Sequence, residues 1–341
     1  MSIPFILKKL LMRLVWLVCF VSVIQVVYSQ SQLPPGNIDY AMEYFPSSGG
    51  IIMHGGWCEP DWSVRNEMWL LNNQGWHLIE APDSPYFAHH SMTYDPYRGV
   101  LILCGNDFYS GGPGIYRTWE YYGDTWTGGP DIPTTIKFGD AEIAFDIARN
   151  RVVAYISDWE EKVEIWEYNG TNWQNRSPLV MPPACPDGAL MEFDMRNANT
   201  VLVLPESTWL WDGSNWFQAG VPPQNAQYGA MVFDSIRQEM ILLTTTMETW
   251  VFDGMLWVKK NPVHSPEPSP NGLFCLAFDP VRQKAVFFGG ESPPMGNSAI
   301  YPTNTWEWNG EDWKEFPSLG EKGDINGDGT VDISDVILCL R

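Results

Sequence analysis

The sequence predicts an all-β fold, a six-bladed β-propeller, on three observations. Six times a Trp is followed seven positions later by another: Trp69 and Trp76, Trp119 and Trp126, Trp166 and Trp173, Trp209 and Trp216, Trp250 and Trp257, Trp306 and Trp313. Turn dipeptides lie between them, Asn169-Gly170, Asp212-Gly213, Asp253-Gly254 and Asn309-Gly310, with Gln74-Gly75 and Gly123-Asp124 as looser forms, so each pair marks an outer β-hairpin. The 18 Trp, 14 Tyr and 16 Phe, set among 30 Gly and 27 Pro, suit short strands and tight turns rather than helices.

The elements follow in chain order. Lys8, Lys9 and Arg13 precede an apolar stretch from Leu14 to Val27 that is shorter than a bilayer span, so residues 1–29 are expected to be a signal peptide cleaved before Gln30 and the protein to be secreted. Residues 30–37 form an N-terminal extension, and 38–316 the propeller. Each outer hairpin is preceded by an inner one, an apolar strand ending at an aromatic-Asp step, then a short turn, then a β-branched run. The inner pairs are Met92 to Asp95 with Val100 to Cys104, Ile143 to Asp146 with Val152 to Ile156, and Leu190 to Asp194 with Val201 to Leu204. Met231 to Asp234 with Met240 to Leu243 and Leu276 to Asp279 with Ala285 to Phe288 continue the series, and the first copy, Met42 to Phe45 with Ile51 to His54, lacks the Asp. Two hairpins make a four-stranded blade, and six such units bury their apolar faces only by stacking around an axis, with the Trp packed between blades.

His54-Gly55-Gly56, Phe288-Gly289-Gly290, the Ala230 to Asp234 strand and Thr305-Trp306-Glu307-Trp308-Asn309-Gly310 resemble kelch repeats of the galactose-oxidase central-domain type. The resemblance spans Ile38 to Phe316 and implies fold rather than function, since such propellers serve as enzymes, scaffolds and receptors. Blades three to five lack the double Gly.

After a linker at 317–323, Asp324, Asn326, Asp328, Thr330, Asp332 and Asp335 occupy places one, three, five, seven, nine and twelve of an EF-hand-like loop, with Gly329 at the bend, and predict a Ca²⁺ site. Val336 onward begins a helix, and residues 324–341 resemble one repeat of a type I dockerin. That resemblance implies a cohesin-bearing scaffold as partner through Ile333 and Ser334, although dockerins carry two repeats and this segment holds one.

A formal charge of −21 argues against nucleic acid and anionic membranes as partners. Beyond the leader, Cys58, Cys104, Cys185, Cys275 and Cys339 are odd in number and lack close pairing, so neither a disulfide framework nor a zinc site is indicated. Cys104 and Cys275 lie in apolar runs and are expected to be buried free thiols.

The loops between second and third strands are long in blades one, two and six (57–66, 105–116 and 289–304), which the ring makes neighbours. They are expected to form a ligand-binding ridge with Trp57, Trp62, Phe108, Tyr109 and Tyr301 as stacking surfaces and Asp61, Asp107 and Glu291 as hydroxyl acceptors, a mixture suited to a neutral polysaccharide. The chain is therefore expected to be a secreted, calcium-binding recognition module, with a place in a polysaccharide-degrading complex. The alternatives are a glycoside hydrolase or lyase and a cell-surface protein-interaction module. No catalytic residue is assigned. A copper-radical oxidase is disfavoured because the five His (His54, His77, His89, His90 and His264) do not supply a ligand set.

Overall fold

The computed structural model describes residues 33–35, 37–58, 63–269, 272, 274–290 and 303–316. They form a six-bladed β-propeller of small antiparallel sheets with no α-helix among them, only two single 3₁₀ turns. Blade 1 is built from Ala41–Phe45, Gly50–His54, Met68–Asn72 and Gly75–Ile79, and blade 2 from His90–Asp95, Val100–Asn106, Tyr116–Tyr121 and Trp126–Gly128. Blade 3 comprises Ala141–Asp146, Arg151–Ser157, Val163–Tyr168 and Trp173–Arg176; blade 4 comprises Leu190–Asp194, Asn199–Leu204, Ser207–Trp211 and Trp216–Gln218. Ala230–Asp234, Glu239–Leu243, Thr249–Phe252 and Trp257–Lys259 make blade 5, and Phe274–Asp279, Lys284–Gly289, Thr305–Trp308 and Trp313–Glu315 make blade 6. Each sheet runs in sequence order from the axis outward, so no blade borrows a strand from the other end of the chain.

The core is divided into six apolar clusters, one at each junction between neighbouring blades. The second Trp of each pair lies in these junctions, and its indole N–H shows why. Trp173 donates to Thr118 at 2.9 Å, Trp257 to Thr208 at 2.9 Å, Trp313 to Thr249 at 2.8 Å and Trp76 to Thr305 at 2.8 Å, in each case from the outer strand of one blade to the third strand of the blade before it. At the same register Met68 offers its Sδ to Trp126 at 3.0 Å, while Ile165 stands opposite Trp216, whose N–H has no acceptor. The Trp76–Thr305 bond joins blade 1 to blade 6, so the ring closes by the device that also joins blades 2 and 3, 4 and 5, and 5 and 6. Tyr40 adds a hydroxyl bond to the Phe288 carbonyl across the same junction. Gly289 makes room for it: at φ +78°, a Cβ there would lie 2.1 Å from the Tyr40 hydroxyl.

A second device works at the inner hairpins. The Asp that ends the first strand accepts the N–H groups two and three residues on in blades 2, 4, 5 and 6, and the N–H three residues on in blade 3, and pairs with a side chain at the third: Arg98, Arg149, Arg237 and Arg282, or Asn197 in blade 4. The Arg or Asn of blades 2 to 5 then slides beneath the outer turn of the following blade. Gly213 has φ +93° and a Cβ there would meet Arg149 Nε at 2.2 Å, so the Asn-Gly and Asp-Gly turns are dictated both by their backbone and by the Arg or Asn side chain beneath them. In blade 1 Phe45 stands in place of the Asp, fully buried against the rings of Tyr94 and Tyr121.

The latch carries a direct consequence. Thr249→Val keeps the shape of the side chain but strands a buried indole N–H, and is expected to cost ~1–2 kcal/mol in chemical denaturation. Ile165→Val is expected to cost no more than about 1 kcal/mol, since its Trp216 has no acceptor to lose.

Candidate functional site at the axial channel

The six first strands surround a channel of about 200 Å³ along the axis. Side chains on a strand repeat in direction every second residue, so positions counted back in twos from the terminal Asp fall on one face. Six residues back lie Asp39, His89, Asp140 and Tyr228, with Asp187 supplied by blade 4 from one position earlier; these form the mouth. Glu142 lies four back, and Glu43 and Glu192 lie two back, deeper in the channel. The blade 5 and 6 side is lined by Ala230, Val232, Cys275 and Ala277, so the channel is acidic on one flank and apolar on the other.

At the mouth, His89 Nε2 lies 3.2 Å from Asp39 Oδ2 and its Nδ1 lies 3.9 Å from Asp140 Oδ1. The Tyr228 hydroxyl donates to Asp187 Oδ2 at 3.1 Å. His89, Asp140 and Asp187 each present an atom within 4.8 Å of the others. Asp39, His89 and Tyr228 have φ of 54°, 50° and 60°, a left-handed conformation that costs a residue other than Gly. The chain bends there from the inter-blade connection into the first strand, and blade 4 makes the bend with Gly188 at φ 73°. Three blades place functional groups at that bend despite the cost.

The lining residues include no Lys or Arg. The carboxylates are ringed by protein while still touching the lumen, and burial drives the protonation equilibria of Asp39, Glu43, Asp140, Glu142 and Glu192 upward. Asp140 is raised well above the usual carboxylate range, by burial first and then by the charges of Glu142, Asp187 and Asp39. Burial raises Glu142 to about 7, with Asp187 adding repulsion, and raises Glu192 to about 7. Glu43 is raised well above its ordinary range by burial and by Glu192 across the channel. The Tyr228 phenol is pushed up to about 12 by burial and by Asp187.

A pH dependence of stability follows. The folded state holds protons on Glu142 and Glu192 that the unfolded chain releases near pH 4.5. The stabilisation is therefore complete below pH 4.5 and is lost as the pH rises through about 7. Between pH 5 and 7 the melting temperature is expected to fall, to level off above pH 7, and Glu192→Gln to flatten that fall; an unchanged slope in the variant would exclude Glu192 as a contributor.

Of the residues predicted for the ridge, Trp57 is half-buried and its ring meets His89 edge-on at 6.1 Å between centroids, which brings it to the rim of the mouth. Asp107 is buried and spent within its own loop, accepting from Gly114 N at 2.8 Å, Ile115 N at 2.7 Å and Arg117 Nε at 3.0 Å, so its oxygens are engaged away from any ligand. Phe108 is exposed and packs edge-on against Phe138. Tyr109 falls in the 3₁₀ turn Asp107–Ser110. Asp61, Trp62, Glu291 and Tyr301, the leader at 1–29 and the calcium-loop residues Asp324, Asn326, Asp328, Thr330, Asp332 and Asp335 lie outside the described residues. Cys104 is a fully buried free thiol, as expected. Cys275 departs from that expectation: it is only partly buried because its strand lines the channel, and its thiol contacts the Tyr40 carbonyl at 2.9 Å.

Neither a protein-family model nor a curated protein sequence matches this chain.

Proposed function

We propose that the chain is a secreted recognition module that receives a polyhydroxylated ligand, a neutral glycan, at the mouth of the axial channel. A β-propeller suits a binding role, because its rigid ring carries loops from several blades to one opening. The observation that carries the reading is the convergence of Asp39, His89, Asp140, Asp187 and Tyr228 beside the ring of Trp57. An indole face offers a sugar a stacking surface, and the carboxylates and phenol offer hydroxyl partners. The kelch-like repeat pattern is consistent with this use of the ring. In this reading the Asp324–Asp335 loop binds Ca²⁺ and, as a single dockerin-like repeat, attaches the propeller to a cohesin-bearing scaffold of a polysaccharide-degrading complex.

A glycan-array screen of the mature chain tests the proposal. Wild type is expected to retain at least one neutral polysaccharide, and Trp57→Ala to lose most of that retention at an unchanged melting temperature. No retention by wild type, or full retention by the variant, would refute it.

One observation favours a second reading, hydrolase or lyase chemistry on the same ligand class: Glu142 and Glu192 hold protons near neutrality in an enclosed channel, as a general acid must. Release of reducing or unsaturated sugar ends, abolished by Glu142→Gln, would favour it over simple binding.

A further inference from the structure

We propose that the mouth of the axial channel is a binding site for a divalent first-row transition metal, held by His89, Asp140 and Asp187. This site is separate from the C-terminal calcium loop and does not depend on the ligand being a glycan.

Four observations support it. The three donor atoms lie within 4.8 Å of one another. Metal–ligand bonds of about 2.1 Å in a tetrahedral shell place donors about 3.4 Å apart, so closing on an ion draws the three atoms together by at most ~1.4 Å, within the reach of side-chain rotation. The imidazole is oriented for the purpose, because Asp39 engages Nε2 at 3.2 Å while Nδ1 faces Asp140. A carboxylate behind a ligating histidine fixes its tautomer and strengthens it as a donor.

Charge gives the third observation. The buried carboxylates at the inner hairpins of blades 2, 3, 5 and 6 are neutralised by an arginine at 2.6–2.7 Å. The channel gathers Asp39, Glu43, Asp140, Glu142, Asp187 and Glu192 with no Lys or Arg in its wall. Carboxylates grouped in an enclosed site are neutralised either by protons or by a cation, and an ion at His89, Asp140 and Asp187 takes the place of a proton there. Fourth, His90 lines the same cavity, is more than nine-tenths buried and spends its Nε2 on His54, while its Nδ1 has no partner. It is a polar group in the wall that the protein itself does not satisfy.

The donor set selects the metal class. An imidazole nitrogen with two carboxylates suits Mn²⁺, Fe²⁺ or Zn²⁺ rather than Ca²⁺, whose shell is built from oxygen.

The test uses the full chain carrying Asp324→Ala and Asp328→Ala to silence the C-terminal loop, stripped with chelator and titrated calorimetrically with Mn²⁺ and with Zn²⁺. One equivalent is expected to bind, with at least tenfold weaker affinity for His89→Ala and for Asp187→Asn and about tenfold weaker affinity for Asp39→Asn. Equal stoichiometry and affinity in all four proteins, or no binding in the parent, would overturn the proposal. Should a substituted chain fail to fold, pulsed electron paramagnetic resonance of the Mn²⁺-loaded parent decides instead: nitrogen coupling from a ligating imidazole is expected, and an all-oxygen shell would overturn the assignment. Glycan retention measured on the stripped protein is a separate readout, so the metal site and the glycan reading stand or fall independently.

Discussion

Trp76→Ala is expected to destabilise the chain by ~3–5 kcal/mol, the range for removing a buried Trp, and to lower its melting temperature by roughly 10 °C. Trp76 is almost fully buried at the junction of blades 1 and 6, packs 5.1 Å from the ring of Phe288 and gives its N–H to Thr305. That bond spans 229 positions of sequence. The loss is more than a cavity, because among the described residues no shared strand ties the ends of the ring together, and the junction depends on this packing, Tyr40 and the first strands. Thr305→Val removes only the acceptor and is expected to cost about 1–2 kcal/mol. Equilibrium unfolding of the two variants separates the packing contribution from the hydrogen bond; equal costs would show that the indole acts through its N–H alone.

Asp234→Ala is expected to cost ~3 kcal/mol, from the loss of a buried carboxylate's hydrogen bonds to two backbone N–H groups and to a partly exposed guanidinium. The carboxylate is fully buried, accepts from Ile236 N at 2.9 Å and Arg237 N at 2.8 Å, and pairs with Arg237 at 2.6 Å. Its loss leaves two turn N–H groups unanswered and a guanidinium beneath the Gly310 turn of blade 6 without its counter-charge. Asp234→Asn retains an acceptor for the turn and is expected to recover about half of the loss. A cost for Asp234→Ala below about 1 kcal/mol in urea unfolding would show that Arg237 is solvated well enough to need no partner.

The blades were legible in the sequence because each is a local unit whose Trp spacing, turn dipeptide and terminal Asp lie within a few dozen residues. The latch was visible but mute: Thr118-Trp119, Thr208-Trp209, Thr249-Trp250 and Thr305-Trp306 repeat plainly, yet the meaning of the Thr comes from a Trp on the next blade. The same limit explains the site. Asp39, His89, Asp140, Asp187 and Tyr228 come from five connections and share no local motif. They share a register, and counting back six residues from the Asp, or Phe45, that ends each first strand would have found four of them. Aromatic and acidic composition pointed to the loops of blades 1, 2 and 6, among whose residues Trp57 stands beside His89. It misjudged Asp107, because a carboxylate near Gly111-Gly112 lets the loop fold back on it: a Cβ at Gly112 would lie 2.4 Å from the Asp107 carboxyl carbon.

The account turns on the mouth of the channel being where the protein meets its ligand. Carbodiimide footprinting of carboxylates, read peptide by peptide with and without the polysaccharide retained on the array, tests this directly. Asp140, Asp187 and Glu142 are expected to be shielded by the ligand while Asp124 and Asp253, exposed on outer turns, label at the same rate in both states. Unchanged labelling at the mouth, with protection elsewhere on the ring, would contradict it.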